Sequence, residues 1–255
     1  MEGLSIGDIK RILNSTDITE IPSTIEKFKN DSRAGVKSLI SAFDKKYKCY
    51  LDELERIKTI SEYENYLYNK GVIYVAGIDE VGRGPLAGPV VTAIVILKKD
   101  CSILGINDSK KLSQAKREEL YEKICEESID YSVGIVSPEE IDEINILQAT
   151  YKAMRKAIDG LKIKPNHILV DALTIPEVDL PQTGIIKGDE KSISIGAASI
   201  IAKVTRDRMM VEYDKIYPGY GFADNKGYGS AKHIEAIKNQ GICPLHRKSF
   251  VKNFV

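Results

Sequence analysis

The sequence has no long apolar run and no paired cysteines. No stretch approaches the roughly 18–20 consecutive apolar residues that a membrane-spanning helix needs, and the first ten residues contain no apolar segment of a secretory signal. We therefore expect a cytoplasmic protein that does not contact a membrane. The four cysteines lie far apart and form no C-x-x-C pair, which argues against a zinc site and against a disulfide framework.

Histidine is also scarce, and charge is balanced. Only three histidines are present and no G-x-S-x-G motif occurs, so the sequence does not favour a serine hydrolase. The net charge of zero excludes a uniformly basic surface. Residues 71–190 nevertheless contain 14 Lys and Arg against 20 Asp and Glu, whereas residues 191–255 contain 11 against 5. An acidic centre beside a basic C-terminal part is typical of an enzyme that binds metal cations and a polyanion.

Residues 1–70 are predicted to form a helical N-terminal extension. Ser5 can cap a first short helix. Apolar residues recur at helical spacing between residues 36 and 57, which predicts one long amphipathic helix. We place the boundary near Gly71 and expect residues 71–255 to form the main domain, with a helical C-terminal part.

From residue 72 onward, β-rich runs alternate with helical patterns, which predicts an α/β domain. Strands are expected at residues 72–78, 90–97, 131–137, 167–171 and 185–188. A short Gly- and Pro-rich segment joins the first two runs and favours their antiparallel pairing. Helices are expected at residues 113–127, 137–158, 192–216 and 231–239.

Two of the predicted strands end in carboxylates. Asp79 and Glu80 follow the first apolar run, and Asp171 follows a second, shorter one. Ionised carboxylates beside a core are unfavourable unless a cation or hydrogen bonds offset the lost hydration. Functional groups of α/β sheets collect at strand ends, so we expect these side chains to converge on one site. For the Asp79–Glu80 pair alone, a solvated strand end is the simpler interpretation.

Asp189 is a candidate for a fourth carboxylate. It follows the run G-I-I-K-G at a junction between loop and helix, where a helix-capping aspartate is the alternative interpretation. Four carboxylates without Cys or His partners suit hard divalent cations such as Mg²⁺ or Mn²⁺. Two such ions roughly 3.5–4 Å apart can activate a water molecule and stabilise the leaving oxygen in phosphodiester hydrolysis.

A glycine-rich turn, G-R-G-P-L-A-G-P, occupies residues 82–89. Glycines let backbone amides approach a phosphate or a sugar without a clash at Cβ, and Arg83 adds positive charge. The turn is not a Walker A loop, because no G-K-[ST] follows it. Many hairpins are rich in glycine, so the turn alone does not identify a function.

Five sequence blocks make the assignment specific. G-I-D-E-V-G-R-G-P-L-A-G-P-V at 77–90 resembles the signature of the ribonuclease HII family. The other blocks match in order: N-D-S-K-K-L-S at 107–113, V-D-A at 170–172, K-G-D-x(6)-G-A-A-S-I-I-A-K-V-T-R-D at 187–207 and Y-P-G-Y-G-F-A-D-N-K-G-Y-G-S-A-K-H at 217–233. The resemblance covers residues 73–250 and leaves out residues 1–70, whose role stays open.

The resemblance implies a ribonuclease H-like fold, in which helices flank a five-stranded mixed sheet. It implies that Asp79, Glu80, Asp171 and Asp189 are the catalytic, metal-binding carboxylates, with two divalent ions bound. Asp207 is the alternative to Asp189, although it lies late in a predicted helix between two arginines. The sequence does not choose between Mg²⁺ and Mn²⁺, because both prefer oxygen ligands.

The resemblance also implies contacts to the ribose. Gly82, Arg83 and Gly84 match the Gly-Arg-Gly motif of the family, whose backbone groups would read the ribose 2′-hydroxyl. That hydroxyl is the group that distinguishes RNA from DNA. Tyr228 matches the tyrosine that works with this motif and can stack on the following deoxyribose. Without the family match, Tyr228 would be interpreted as an ordinary loop tyrosine.

Other positions match phosphate-binding residues of the family. Asn107 and Lys110 are such positions, with a solvated turn as the alternative. Further phosphate contacts are expected from Lys187, Lys203 and Arg206. The small residues 196–199 are interpreted as packing residues of a helix, not as catalytic residues. Residues 246–250 resemble a C-terminal element of the family to which we assign no role.

The implied function is hydrolysis of the RNA strand of RNA–DNA hybrids, and cutting on the 5′ side of ribonucleotides embedded in duplex DNA. One metal would activate water and the other would stabilise the departing 3′-oxygen, leaving 3′-hydroxyl and 5′-phosphate ends. The resemblance implies roles in the removal of replication-primer RNA and in ribonucleotide excision, and it implies a monomer.

Two alternatives come from different classes of protein. A resolvase or integrase relative would share the carboxylates but would lack the pairing of the Gly-Arg-Gly motif with a tyrosine. A non-catalytic nucleic-acid-binding module would show salt-sensitive binding without metal-dependent turnover. The four acids argue against such a module, because acids that face phosphates are unfavourable unless metals intervene.

Overall fold

The computed structural model describes residues 4–254. By its internal contacts the chain divides into two compact units, Met1–Lys58 and Thr59–Val255. The division near Gly71 that the sequence suggests stays a prediction. Within the described part of the chain, no helix is both long and apolar enough to cross a lipid bilayer.

The first unit is helical. Its helices are α1 (Ile6–Ser15), α2 (Ile21–Glu26) and α3 (Ala34–Ile60), the last of which continues into the second unit. The predicted cap of α1 is confirmed: the Ser5 hydroxyl accepts a hydrogen bond from the Asp8 amide, and the Asp8 carboxylate accepts one from the Ser5 amide. The predicted long helix is confirmed by α3. The unit has its own apolar core, formed by Ile9, Leu13, Ile21, Phe28, Val36 and Phe43.

The second unit contains a five-stranded mixed sheet with the order β3-β2-β1-β4-β5. The strands are β1 (Val75–Val81), β2 (Val90–Ile96), β3 (Asp130–Val136), β4 (His167–Asp171) and β5 (Gln182–Ile185). β1 is central, antiparallel to β2 and parallel to β4. The predicted five-stranded mixed sheet and the antiparallel pairing of the first two strands are confirmed.

Helices cover both faces of this sheet. They are α4 (Glu62–Asn69), α5 (Gln114–Glu127), α6 (Pro138–Asp159), the one-turn helix α7 (Gly188–Lys191) and α8 (Ile193–Ile216). On one face, Ala76 and Ile78 pack against α6. On the other, β1 and α8 approach so closely that a Cβ on Gly77 would lie 2.1 Å from the carbonyl carbon of Ser194. A glycine on the central strand therefore allows the start of α8 to pack directly against the sheet.

Glu64 attaches α4 to the start of α8. Its Oε1 accepts hydrogen bonds from the hydroxyls of Ser192 and Ser194, both at 2.5 Å, and from the Ser194 amide at 3.1 Å. Ser192 is also the N-cap of α8. A carboxylate at this position is favourable, because the N-terminal end of a helix carries a partial positive charge.

The C-terminal part of the second unit consists of short helices around a separate apolar cluster. The helices are α9 (Phe222–Asn225), α10 (Ala231–Gln240) and α11 (Lys248–Val251). The cluster contains Ala87, Met210, Tyr220, Phe222, Ile237, Leu245 and Val251. Because Ala87 belongs to the glycine-rich turn after β1, this cluster connects the turn to the C-terminal part of the chain.

Two strand predictions were wrong at their ends. β1 continues through Asp79 and Glu80, so both acids lie within the strand and not beyond it. β5 lies earlier in the chain than expected and ends at Ile185. The next residue, Ile186, is 73% exposed. Lys187 has a left-handed backbone with φ of 58°, which turns the chain away from the sheet and into α7.

Candidate active site

Asp79 and Asp171 lie side by side on neighbouring parallel strands. Ile78 of β1 is paired with Val170 of β4, so the next residue on each strand carries one of the two carboxylates. Burial is the main cause that raises the pKa of Asp79 well above its usual value, and Glu80 and Asp171 raise it further. The structure thus brings together the two acids that the sequence placed at the ends of separate strands.

The Asp79 side chain faces α8. Its carboxylate accepts a hydrogen bond from the Ser199 hydroxyl and one of 2.8 Å from the Glu80 amide. The Ser199 hydroxyl also lies 2.9 Å from the hydroxyl of Ser109, which belongs to the N-D-S-K-K-L-S segment. Ser199, interpreted from the sequence as a packing residue only, therefore contacts a candidate catalytic carboxylate.

Glu80 has one paired and one unpaired oxygen. Arg83 donates a hydrogen bond of 3.2 Å to Oε1. Oε2 is buried and has no hydrogen-bond partner among residues 4–254. Burial raises the pKa of Glu80, although the neighbouring Arg83 lowers it. A buried carboxylate oxygen without a partner is unfavourable, and a bound cation would offset that cost.

Asp189 approaches the same place from α7. The Gly188 amide donates a hydrogen bond of 2.7 Å to Oδ1 of Asp171, which attaches the start of α7 to β4. Asp189 is buried, and burial, Asp108 and Asp171 raise its pKa. The Lys110 ammonium lies 4.0 Å from Oδ2 of Asp189, so the N-D-S-K-K-L-S segment reaches the acids.

Asp207, the alternative fourth acid, has other partners. Its Oδ1 accepts a hydrogen bond of 2.8 Å from the Lys203 ammonium, and its Oδ2 lies 3.9 Å from Nη2 of Arg117. One cation from α8 and one from α5 therefore balance the negative charge of Asp207. This geometry favours Asp189 over Asp207 as the fourth carboxylate of the site.

The two glycines of the GRG turn (residues 82–84) differ in their surroundings. Gly82 has a φ of 91°, and a Cβ there would lie 2.3 Å from Nε of Arg206. At Gly84, no neighbouring heavy atom lies within 4 Å of the position that a Cβ would occupy. The fold itself requires glycine at residue 82, whereas the space beside Gly84 is open to a ligand.

Arg206 is not a phosphate contact, and that prediction is wrong. Its side chain is fully buried. It donates hydrogen bonds to the backbone carbonyls of Pro89 at 2.9 Å, Ala87 at 3.1 Å and Lys226 at 2.8 Å. Lys187, by contrast, is exposed and stays a predicted contact.

Tyr228 lies in the tyrosine loop (residues 226–230) with its side chain 45% exposed. The amide of Leu86 donates a hydrogen bond of 2.8 Å to the carbonyl of Gly227, so this loop adjoins the glycine-rich turn. The Tyr228 carbonyl lies 2.8 Å from Nδ1 of His233. An exposed aromatic ring is therefore carried by a loop whose backbone is held in place.

Sequence reasoning missed three buried polar residues near these loops: His233, His246 and Arg247. The sequence block at 246–250 singled out two of them without showing what they do. Buried polar side chains need hydrogen-bond partners. The two histidines contact each other and residues nearby in the sequence, whereas Arg247 binds carbonyls of the glycine-rich turn more than 150 positions away. A single sequence contains no signal for such contacts.

The candidate acids offer only carboxylate oxygens as ligands for a metal ion. Among the described residues, no three Asp, Glu, His or Cys side chains are gathered closely enough to form a ready-made metal site. Even so, burial raises the pKa of Asp79, Glu80 and Asp189, and Glu80 has an unpaired buried oxygen. This chemistry fits hard divalent cations such as Mg²⁺ or Mn²⁺. That the acids share such ions stays a prediction.

Known proteins resemble the chain along its length. The sequence model of the family "Ribonuclease HII" matches residues 76–253, and that of the "Ribonuclease HII N-terminal domain" matches residues 5–68. The ribonuclease HII of Clostridioides difficile is 54% identical over 255 residues, which is 100% of both chains. That of Lachnoclostridium phytofermentans is 58% identical over 89% of each chain. The crystal structure of ribonuclease H2 from Pyrococcus horikoshii has a TM-score of 0.59 at 32% identity, over 71% of this chain and 96% of that one.

Proposed function

The chain belongs to the ribonuclease HII family, whose members cleave RNA in RNA–DNA hybrids, and we propose that it cuts the phosphodiester on the 5′ side of a ribonucleotide. It is a ribonuclease H, a metal-dependent endoribonuclease. Its substrates in this proposal are RNA–DNA hybrids and duplex DNA with an embedded ribonucleotide. The observation that carries the proposal is the side-by-side placement of Asp79 and Asp171 on parallel strands, next to the buried acids Glu80 and Asp189.

In this proposal, Asp79, Glu80, Asp171 and Asp189 hold two Mg²⁺ or Mn²⁺ ions. When bound, such ions supply an activated water and stabilise the departing 3′-oxygen, which leaves 3′-hydroxyl and 5′-phosphate ends. The chain itself orients the carboxylates. Ser199 donates to Asp79, and the Gly188 amide donates to Asp171. Such hydrogen bonds keep ligand oxygens in a fixed direction, so the acids need little rearrangement when a cation binds.

The substrate contacts follow from exposure and charge. The open space beside Gly84 allows a sugar to approach the backbone of the GRG turn, where a 2′-hydroxyl can be recognised. The exposed ring of Tyr228 can stack on the next sugar. Asn107 and Lys110 lie on the segment that reaches Asp189 and are assigned to the phosphates.

Such a cut would begin the removal of replication-primer RNA and of single ribonucleotides from DNA. One cleavage assay tests the proposal with three matched duplexes: a DNA duplex with one ribonucleotide, a uniform hybrid and an all-DNA duplex. Each is incubated with Mg²⁺, with Mn²⁺ and with chelator. We expect cutting of the first two, only with metal, and 5′-phosphate ends.

Two outcomes would contradict the proposal. Cutting of a branched all-DNA junction, tested beside the three duplexes, would favour a resolvase relative. Salt-sensitive binding without turnover in either metal would favour a binding module.

A further inference from the structure

Two fully buried arginines, Arg206 and Arg247, lie beneath the GRG turn. Their side-chain hydrogen bonds go to backbone carbonyls. Burial lowers the pKa of Arg206 to about 10, and burial together with Arg206 lowers that of Arg247 to about 9. Buried positive charges are costly unless hydrogen bonds satisfy them, and the carbonyls of these loops supply those hydrogen bonds.

Arg247 binds both ends of the glycine-rich turn. Its Nη1 donates to the carbonyl of Arg83 at 2.8 Å, and its Nη2 donates to the carbonyl of Gly82. Its Nε and Nη2 donate to the carbonyl of Gly88 at 3.0 Å and 2.8 Å. Its own amide donates to the carbonyl of Leu86 at 2.9 Å. One side chain and its backbone therefore determine the path of the turn.

These contacts also determine where the amides of the turn point. In a trans peptide the C=O and N–H groups point in opposite directions. The carbonyls of Gly82 and Arg83 point inward to Arg247, so the N–H groups of the same two peptides, those of Arg83 and Gly84, point away from it. The amide of Gly84 thus points away from the interior at a residue where the space for a side chain is open.

Arg206 connects the far end of the glycine-rich turn (residues 82–89) to the tyrosine loop. It donates to the carbonyls of Ala87 and Pro89 on one side and of Lys226 on the other. Gly82 leaves the space that the Arg206 side chain occupies. The spacing between the GRG turn and Tyr228 therefore depends on a second buried guanidinium.

We propose that Arg247 is a positioning residue for ribose recognition: it turns the amides of Arg83 and Gly84 toward the substrate. Arg206 supports it by fixing the turn relative to Tyr228. The inference rests on the proposed function, because it concerns the same substrate. A lysine has no planar fork and cannot reach the three carbonyls that Arg247 binds, so Arg247→Lys removes the positioning and keeps the charge.

The experiment compares wild type with Arg247→Lys in three measurements. They are kcat/KM on a DNA duplex with one ribonucleotide, the inhibition constant of the matching all-DNA duplex, and the metal concentration for half-maximal rate. We expect kcat/KM to fall about tenfold, as for the loss of one well-oriented hydrogen bond. The inhibition constant, which reports phosphate contacts, and the metal dependence should stay within about twofold.

Arg155→Lys is the matched control. Arg155 also donates to a backbone carbonyl, that of Pro176 at 3.3 Å, but it lies on α6 away from the turn. It should leave all three quantities unchanged. If Arg247→Lys is unfolded at the assay temperature, Arg206→Lys is measured in the same way and should give the same pattern.

The possible failures are distinguishable. A folded Arg247→Lys protein with wild-type kcat/KM overturns the inference, and so does an equal loss in kcat/KM and in binding of the all-DNA duplex. Both leave the proposed function intact. A wild-type protein that cuts no ribonucleotide-containing duplex overturns the proposed function itself.

Discussion

His246 and His233 face each other through their Nε2 atoms, 3.0 Å apart, in the protein interior. The Cys243 amide donates a hydrogen bond of 3.0 Å to Nδ1 of His246, so His246 has its proton on Nε2 and donates it to His233. His233 then has its proton on Nδ1, which donates to the Tyr228 carbonyl at 2.8 Å. Both imidazoles must be neutral for this series of hydrogen bonds to exist.

We expect the protein to lose stability as the pH falls from about 6.5 to about 4. Burial and the neighbouring His233 lower the pKa of His246 from 6.5 to about 4. Between these values the unfolded chain binds a proton that the folded protein does not. The stability is therefore complete above the unfolded pKa and decreases as the pH falls. Urea unfolding at about pH 7 and about pH 5 measures this loss. His246→Gln should show a smaller loss, and an equal loss in both proteins would contradict the assignment.

Asp79→Asn should abolish cleavage and, in chelator, raise the melting temperature. Burial raises the pKa of Asp79, and Glu80 and Asp171 raise it further. A raised pKa of an acid means that its ionised form opposes folding at neutral pH, so a neutral amide removes that cost. Each kcal/mol gained corresponds to about 2–4 °C for a chain of this size. Calorimetry and the cleavage assay provide the test, and near-normal cleavage would refute the role of Asp79.

Asp189→Asn should lower the rate of cleavage, whereas Asp207→Asn should lower the stability of the protein. The first should lower kcat at least about 100-fold, because it removes a candidate ligand. The second should keep cleavage but destabilise the protein by about 1–3 kcal/mol, because the half-buried cations of Lys203 and Arg117 lose the negative charge that balances them. Kinetics and urea unfolding of both variants decide the question. If Asp207→Asn were the inactive one, the two residues would exchange roles.

Gly84→Ala and Gly82→Ala should separate substrate contact from folding. An alanine at residue 84 meets no neighbouring atom within 4 Å, so the variant should melt like wild type and yet cut ribonucleotides poorly. At residue 82 the new Cβ would lie 2.3 Å from Nε of Arg206, at a φ of 91°, so the variant should be destabilised. Wild-type cleavage by Gly84→Ala would exclude a close approach of the sugar at this residue.

Tyr228→Ala should impair cutting at an RNA–DNA junction more than it impairs folding. The residue is 45% exposed, so loss of its side chain should change stability by no more than about 0.5 kcal/mol. An aromatic ring that stacks on a base contributes about 1–3 kcal/mol. Packing on a sugar is taken at the lower end of that range, so junction cutting should fall about tenfold. Tyr228→Phe keeps the stacking surface and is the control. An unchanged junction preference in Tyr228→Ala would reject the role of the ring.

Local signals in the sequence predicted many element boundaries. A serine hydroxyl caps each of five helices and was a usable start signal: Ser5, Ser113, Ser137, Ser192 and Ser230. The end of β5 and the kink that interrupts α6 at Asn145 were not predictable in this way. Lys187 and Asn145 have left-handed backbones, with φ of 58° and 67°, and residues other than glycine seldom adopt this conformation.

The candidate acids were found because they stand next to apolar runs, a short-range pattern. The roles of Arg206 and Arg247 were not, because most of their partners are carbonyls of residues more than a hundred positions away. A long charged side chain is expected to be exposed. Only the three-dimensional arrangement of the two loops provides enough acceptors to bury both guanidinium groups.

The attachment of Glu64 to α8 limits how the chain can be dissected. A fragment that begins at residue 71, where the sequence changes from helical to β-rich, would lack α4. The amide and hydroxyl of Ser194 would lose their acceptor, as would the hydroxyl of Ser192. Leu67 would also no longer cover Val75. We therefore expect a truncated protein that starts upstream of Glu62 to be more stable than one that starts at residue 71.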